Sequence, residues 1–84
     1  MTISLPRDLR YVATARLIAV ESAREAGCDG SPVEAFAGRV EDAARTCLSA
    51  PEAKHLMMAI EREPNALVVT IDHHVMRLTL SSSR

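Results

Sequence analysis

Aromatic residues are almost missing from this chain of 84: one Tyr, one Phe and no Trp. A domain so short buries only about 60–70% of the surface its unfolded chain exposes, so its core is limited. Ala, Val, Leu, Ile and Met must fill that core, and a second chain would add much to it. Charge of one sign is also missing, since the net charge is −1 with acids and bases interspersed. No basic stripe argues for nucleic acid. Two cysteines, Cys28 and Cys47, form neither a disulfide framework nor paired C-x-x-C metal knuckles. No stretch approaches the length of a membrane span. The opening MTISLPRDLR carries charge too early for a signal peptide. These absences together read as a soluble, reduced, cytoplasmic protein of one domain, residues 1–84.

What is present is a clear succession of periods. TISL is a short strand closed by Pro6, which favours an extended residue before it. From Asp8 the apolar residues take helical spacing: Leu9, Ala13, Leu17 and Val20 form one stripe, with Tyr11, Ala15 and Ile18 beside it. Asp8 suits the helix start and Gly27 the left-handed position past its end, which predicts a helix over 8–26. Ser31, Pro32 and Glu34 then give an N-cap, a first-turn proline and a capping-box acid. Behind them Val33, Phe36, Ala37, Val40, Ala44, Cys47 and Leu48 make a clean stripe, predicting a second helix over 32–48.

The next segment sets propensity against pattern. APEAKHLMMAIERE consists of good helix formers. Yet a short apolar run followed by the turn EPNA, then by ALVVTI and VMRLTL, reads as successive strands. We take residues 54–63 as strand. With EPNA as a hairpin turn, Glu63 faces Ala66, Ile60 faces Val69, Met58 faces Ile71 and His55 faces His74.

Across VEDAARTCLSAPEAKHLMMAIEREPNALVVTID the chain resembles the anti-sigma-factor serine kinases of the GHKL ATPase superfamily, in degenerate and shortened form. LPRDLRYVATARLIAVESAREAGC is similar to that family's first strand and helix, AGRVEDAARTCL to its second helix, and HLMMAIEREPNALVVTID to its hairpin. The likeness spans residues 3–72. Carried over position by position, Asp42 stands at the family's catalytic acid and Asp72 at the Asp that bonds adenine. Thr46 replaces the magnesium-binding Asn, and His74 and Met76 replace the two glycines of D-x-G-x-G. The family's lid and second glycine box are not among these residues.

Each replacement works against nucleotide chemistry. A Thr hydroxyl is shorter than an Asn amide and a poorer magnesium ligand. A His or Met side chain fills space that glycine leaves for the base. Asp42 and Thr46 are thus vestigial candidates, with Asp72 the third. Asp42 equally suits a solvated helix face, paired with Arg39 or Arg45.

Two further sets of residues stand apart from the resemblance. A pair His55–His74 near Asp72 would suit Zn²⁺ or Ni²⁺ across neighbouring strands, though adjacent His73 and His74 on a strand would point to opposite faces. The faces of the hairpin also conflict. Alternation nominates Leu67, Val69 and Ile71 as one apolar set, whereas the resemblance turns Ala66, Val68, Thr70 and Asp72 toward the helices. One face must remain uncovered, which makes Leu67, Val69, Ile71 and Met57 interface candidates.

These observations predict an α/β two-layer sandwich, with a small, mostly antiparallel sheet on two helices. The resemblance implies a regulatory binding module that works by partner switching on a sigma factor or an anti-sigma antagonist. A homodimer without cofactor, metal, nucleic acid or membrane is expected. An ATP-binding kinase-like protein retaining Asp42 and Asp72 is one alternative, and a small structural accessory subunit is another.

Overall fold

The computed structural model describes residues 1–49 and 55–80. Strand β1 (Thr2–Pro6) leads into helices α1 (Tyr11–Glu25) and α2 (Ser31–Leu48). Strands β2 (His55–Glu63), β3 (Ala66–Ile71) and β4 (His74–Thr79) follow. The sheet runs β1-β2-β3-β4 with every neighbouring pair antiparallel. It is the expected two-layer sandwich.

Pattern prevails over propensity in β2. Leu56, Met58 and Ile60 are buried while Met57 and Glu61 are exposed, a period of two that a helix cannot satisfy. Lys54, first residue of the predicted strand, lies outside the described residues. The register is as expected from Glu63 opposite Ala66 through Met58 opposite Ile71.

Helix α2 presents the predicted stripe, with Ala43 added to it. Its start differs in detail. Gly30, at φ +80°, precedes the helix and accepts from the Val33 and Glu34 N–H groups, at 3.1 and 3.2 Å. Ser31 is already the first helical residue, and no side chain caps the end.

Helix α1 corrects the expected stripe. Its buried residues are Val12, Ala15, Ala19 and Ala23, whereas Leu9 and Leu17 are exposed, Leu17 at 59%. The reason is steric. Apolar residues lie on several sides of this helix, and its alanine face allows the closest approach to α2 and the sheet. Asp8 does not cap α1 at its first residue; it accepts the Arg10 N–H at 2.9 Å, one turn earlier. The far end is as predicted. Gly27 has φ +92°, and the Gly27 and Cys28 N–H groups reach the Arg24 and Ala23 carbonyls, both at 2.9 Å, closing the helix.

Leu67, Val69 and Ile71 face the helices within the core, so their nomination as interface residues is corrected. The inward set is the one that alternation selects, not the one that the resemblance selects, because Ala66, Val68 and Thr70 occupy the opposite face. That outward face is not the broad apolar patch expected. Arg77 of β4 reaches across β3 to Glu63 of β2, at 2.5 Å, over Ala66 and Val68, which are both buried. Large apolar exposure there is confined to Met57 and Val75, at 46% and 64%.

The orientation of α1 gives a direct test. Leu17→Ala should change unfolding free energy by no more than about 0.5 kcal/mol, as at an ordinary surface position. Ala19→Leu should cost about 1–3 kcal/mol by overpacking. Urea denaturation of the two variants measures both, and the reverse ranking would restore the sequence-derived stripe.

Candidate functional site

Four of the singled-out residues come together. Arg39, Asp42, Ala43 and Thr46 on α2 face His74, Val75 and Met76 on β4 across an open groove of about 360 Å³. The helix supplies Arg39, Asp42 and Thr46 from the flank beside buried Ala43, since three- and four-residue steps keep them in line. The strand supplies its first three residues, directly after the hairpin turn.

The chemistry available in this groove is limited. The Asp42 side chain is 82% exposed and lies 3.7 Å from Arg45, a surface ion pair of little energetic weight. Thr46 is exposed and Met76 is buried in the core at 8% exposure. Arg39 does not pair with Asp42. Its guanidinium lies 5.9 Å from the Phe36 ring centre, and its Nη2 donates to the Arg77 carbonyl at 3.3 Å.

Asp72 is engaged elsewhere. It occupies the turn between β3 and β4 with φ +54°, a left-handed conformation that Asp tolerates better than most residues. Its N–H donates to the Met57 carbonyl at 2.8 Å, continuing the ladder. The Met57 N–H donates to its carboxylate at 3.1 Å, where a straight strand would offer a backbone carbonyl. Burial pushes the Cys47 thiol up to about 11, and the neighbouring Asp72 carboxylate adds to the shift by favouring the protonated form. Asp72 thus ties β2 to the turn.

The early turn also overturns the expected histidine pairing. His55 lies opposite Pro6 on β1, and His74, the first residue of β4, lies opposite Ile71 on β3. The chain reverses at Asp72, two residues before His74 would have come opposite His55. His73 is in the turn rather than on a strand, so its ring stacks on His74, with centres 4.7 Å apart. Among the described residues, no three His, Cys, Asp or Glu side chains gather as a metal centre.

One cluster went unnoticed in the sequence. Arg16 of α1 reaches Glu34 and Glu41 of α2, at 2.9 and 3.2 Å, and Glu41 also pairs with Arg45 at 2.9 Å. Arg45, then Arg16, hold the Glu41 carboxyl below its usual range. The signal was the seven-residue spacing of Glu34 and Glu41, which places two acids on one helix face.

The Cys47–Asp72 contact makes two measurable claims. With a pKa near 11, only about one Cys47 in a thousand is thiolate at pH 8, so it should alkylate slowly. Asp72→Asn should accelerate that labelling, which mass spectrometry follows at the Cys47 peptide. The raised thiol also stabilises the fold below the ordinary thiol pKa of 9.0, a contribution lost as pH rises toward about 11. Urea titrations at rising pH should therefore show wild type losing stability relative to Cys47→Ala over that window. A constant difference would refute the linkage.

Compared with known proteins, the chain matches no family model, no curated protein and no solved structure.

Proposed function

We propose that this protein is a regulatory binding module, akin to a degenerate anti-sigma factor, that acts in the cytoplasm by switching between protein partners without nucleotide turnover. The partner class is a sigma factor or an anti-sigma antagonist. The observation that carries the reading is the state of the groove. Asp42, Thr46, His74 and Met76 line it together, and these are the positions that the resemblance aligns with the family's nucleotide site.

The same residues argue against a nucleotide there. Met76 fills the position of a glycine with a side chain packed in the core. The Asp72 carboxylate, which would receive adenine, already accepts the Met57 N–H. Thr46 offers magnesium no carbonyl oxygen. A helix face and a strand start that no longer meet a phosphate remain available to another protein surface. The inward strand face differs from the one the resemblance selects, so the proposal rests on the groove and not on the strand faces.

Calorimetric titration against the sigma factors and anti-sigma antagonists of the same organism tests the proposal. The expected result is micromolar or tighter binding of one of them, unchanged by millimolar Mg-ATP. Absence of binding across the set would sink it. Independently, Mg-ATP should leave the melting temperature unchanged, because a ligand that binds only the native state must raise it. A rise abolished in Asp72→Ala would favour the ATP-binding alternative.

A further inference from the structure

The two edges of the sheet are not equivalent. On β1 the residues bonded to β2 include Met1, whose amino group and carbonyl both meet Ile60, at 2.9 and 2.7 Å. Thr2, Ser4 and Pro6 therefore point their backbone groups outward, and Pro6 has no N–H to offer. That edge is short and closed by proline, a common protection against pairing. On β4 the Leu80 N–H bonds the Asn65 carbonyl at 2.8 Å, so Leu78, Met76 and His74 point toward β3. Val75, Arg77 and Thr79 point outward, with no proline among them. The Arg77 carbonyl receives a side chain, Arg39.

Helix α2 packs more closely on β4 than on the other strands, so its Arg39–Asp42–Thr46 side overhangs this open edge. From these features we infer that β4 is a pairing edge for a second copy of this chain. Two β4 strands join antiparallel about a two-fold axis, making one continuous eight-stranded sheet with the two α2 helices side by side.

Charge selects both the occupant and the register. Symmetric pairing with Arg77 opposite Arg77 sets like charges face to face, which is unfavourable. Centring the axis on Val75 leaves only His74, Val75 and Met76 overlapping. Centring it on Met76 puts Val75 opposite Arg77 twice, forming about four backbone hydrogen bonds. Because α2 runs opposite to β4 and its Arg39 lies at Arg77, the same axis passes α2 near positions 40–42. Arg39 then meets Asp42 of the second copy, and Asp42 meets its Arg39. Each copy offers both members of the pair on one face, as a self-complementary interface requires. The Arg77 carbonyl exchanges the Arg39 guanidinium for the Val75 N–H of the second copy, so neither group is left unpaired.

This goes beyond the partner-switching proposal and is tested without any sigma factor or antagonist. Sedimentation equilibrium of the full chain, from low micromolar to near-millimolar, should show a monomer–dimer equilibrium. Val75→Pro removes an N–H that points away from β3 and has no partner among the described residues, so it should keep the far-UV circular dichroism and abolish the dimer. Arg39→Asp should weaken dimerisation by about tenfold or more, and Arg39→Asp with Asp42→Arg should restore it, since the swap preserves the reciprocal pairs. The charge variants keep the test decisive if Val75→Pro does not fold. A wild type monomeric throughout, or a dimer indifferent to all three variants, would overturn the inference. So would a monomer whose β4 edge, followed by amide shifts, pairs only with an added extended peptide.

Discussion

The domain depends on one layer of contact, between the inward faces of β2 and β3 and the Val33–Phe36–Val40–Ala44 stripe of α2. Phe36 has no exposed surface, nor do Leu56, Met58, Val69 and Ile71 beneath the helices. With a single Phe and no Trp, no other part of the chain supplies comparable bulk. Each of these side chains contributes about 1.5–3 kcal/mol on burial, so the layer outweighs any surface pair in the molecule. It also explains why residues 55–63 are strand in spite of their helix propensity. A helix there would place Leu56, Met58 and Ile60 on different sides and leave α2 without a floor.

That layer forces a turn on residues poorly suited to one. The inward alternation ends at Ile71, and β4 must return at once to place Met76 and Leu78 in the same core. The two-residue connection is Asp72-His73, without the glycine that such turns favour. Asp72 accepts a left-handed backbone and compensates through its carboxylate, which takes the Met57 N–H. One residue thus serves as turn former and as substitute for a ladder carbonyl. Burial, with Asp72 adding to it, raises the pKa of the nearby Cys47 thiol. The Met57 bond engages one oxygen of the Asp72 carboxylate, so a constraint of the core reaches into the candidate site.

The fold was legible where one face alone is apolar or where a turn anchors the register. Helix α2 has a single continuous stripe, and all of its predicted members are buried. The β2–β3 register followed from alternation on both strands, anchored by Pro64-Asn65. Helix α1 was misread because Leu9, Ala13 and Leu17 make as good a stripe as Val12, Ala15, Ala19 and Ala23. Size suggests the first, whereas close packing selects the second, and periodicity carries no information about separation. The candidate site was legible in part. Asp42, Thr46, His74 and Met76 do share a groove. The His55–His74 pair failed because Asp72-His73 lacks the glycine that marks a two-residue turn, so the register was carried two residues too far.

The groove and the strand edge are consequences of the same geometry. Because α2 lies nearest β4, the edge strand among the described residues, its outward side has no further described strand beneath it. Arg39, Asp42 and Thr46 therefore overhang open backbone instead of a covered sheet. In a longer sheet those residues would be an ordinary solvated helix face. Here Arg39 already turns down to the Arg77 carbonyl, the response of a long cation to an acceptor that lacks a strand partner. An edge so occupied resists indiscriminate pairing, since any incoming strand must displace a guanidinium and provide it with an anion. Asp42 is an anion placed three residues away on the same helix, too exposed and too loosely held by Arg45 to be a structural fixture. On the proposed pairing, a surface that carries both the guard and the anion that releases it would favour a copy of itself over an arbitrary strand.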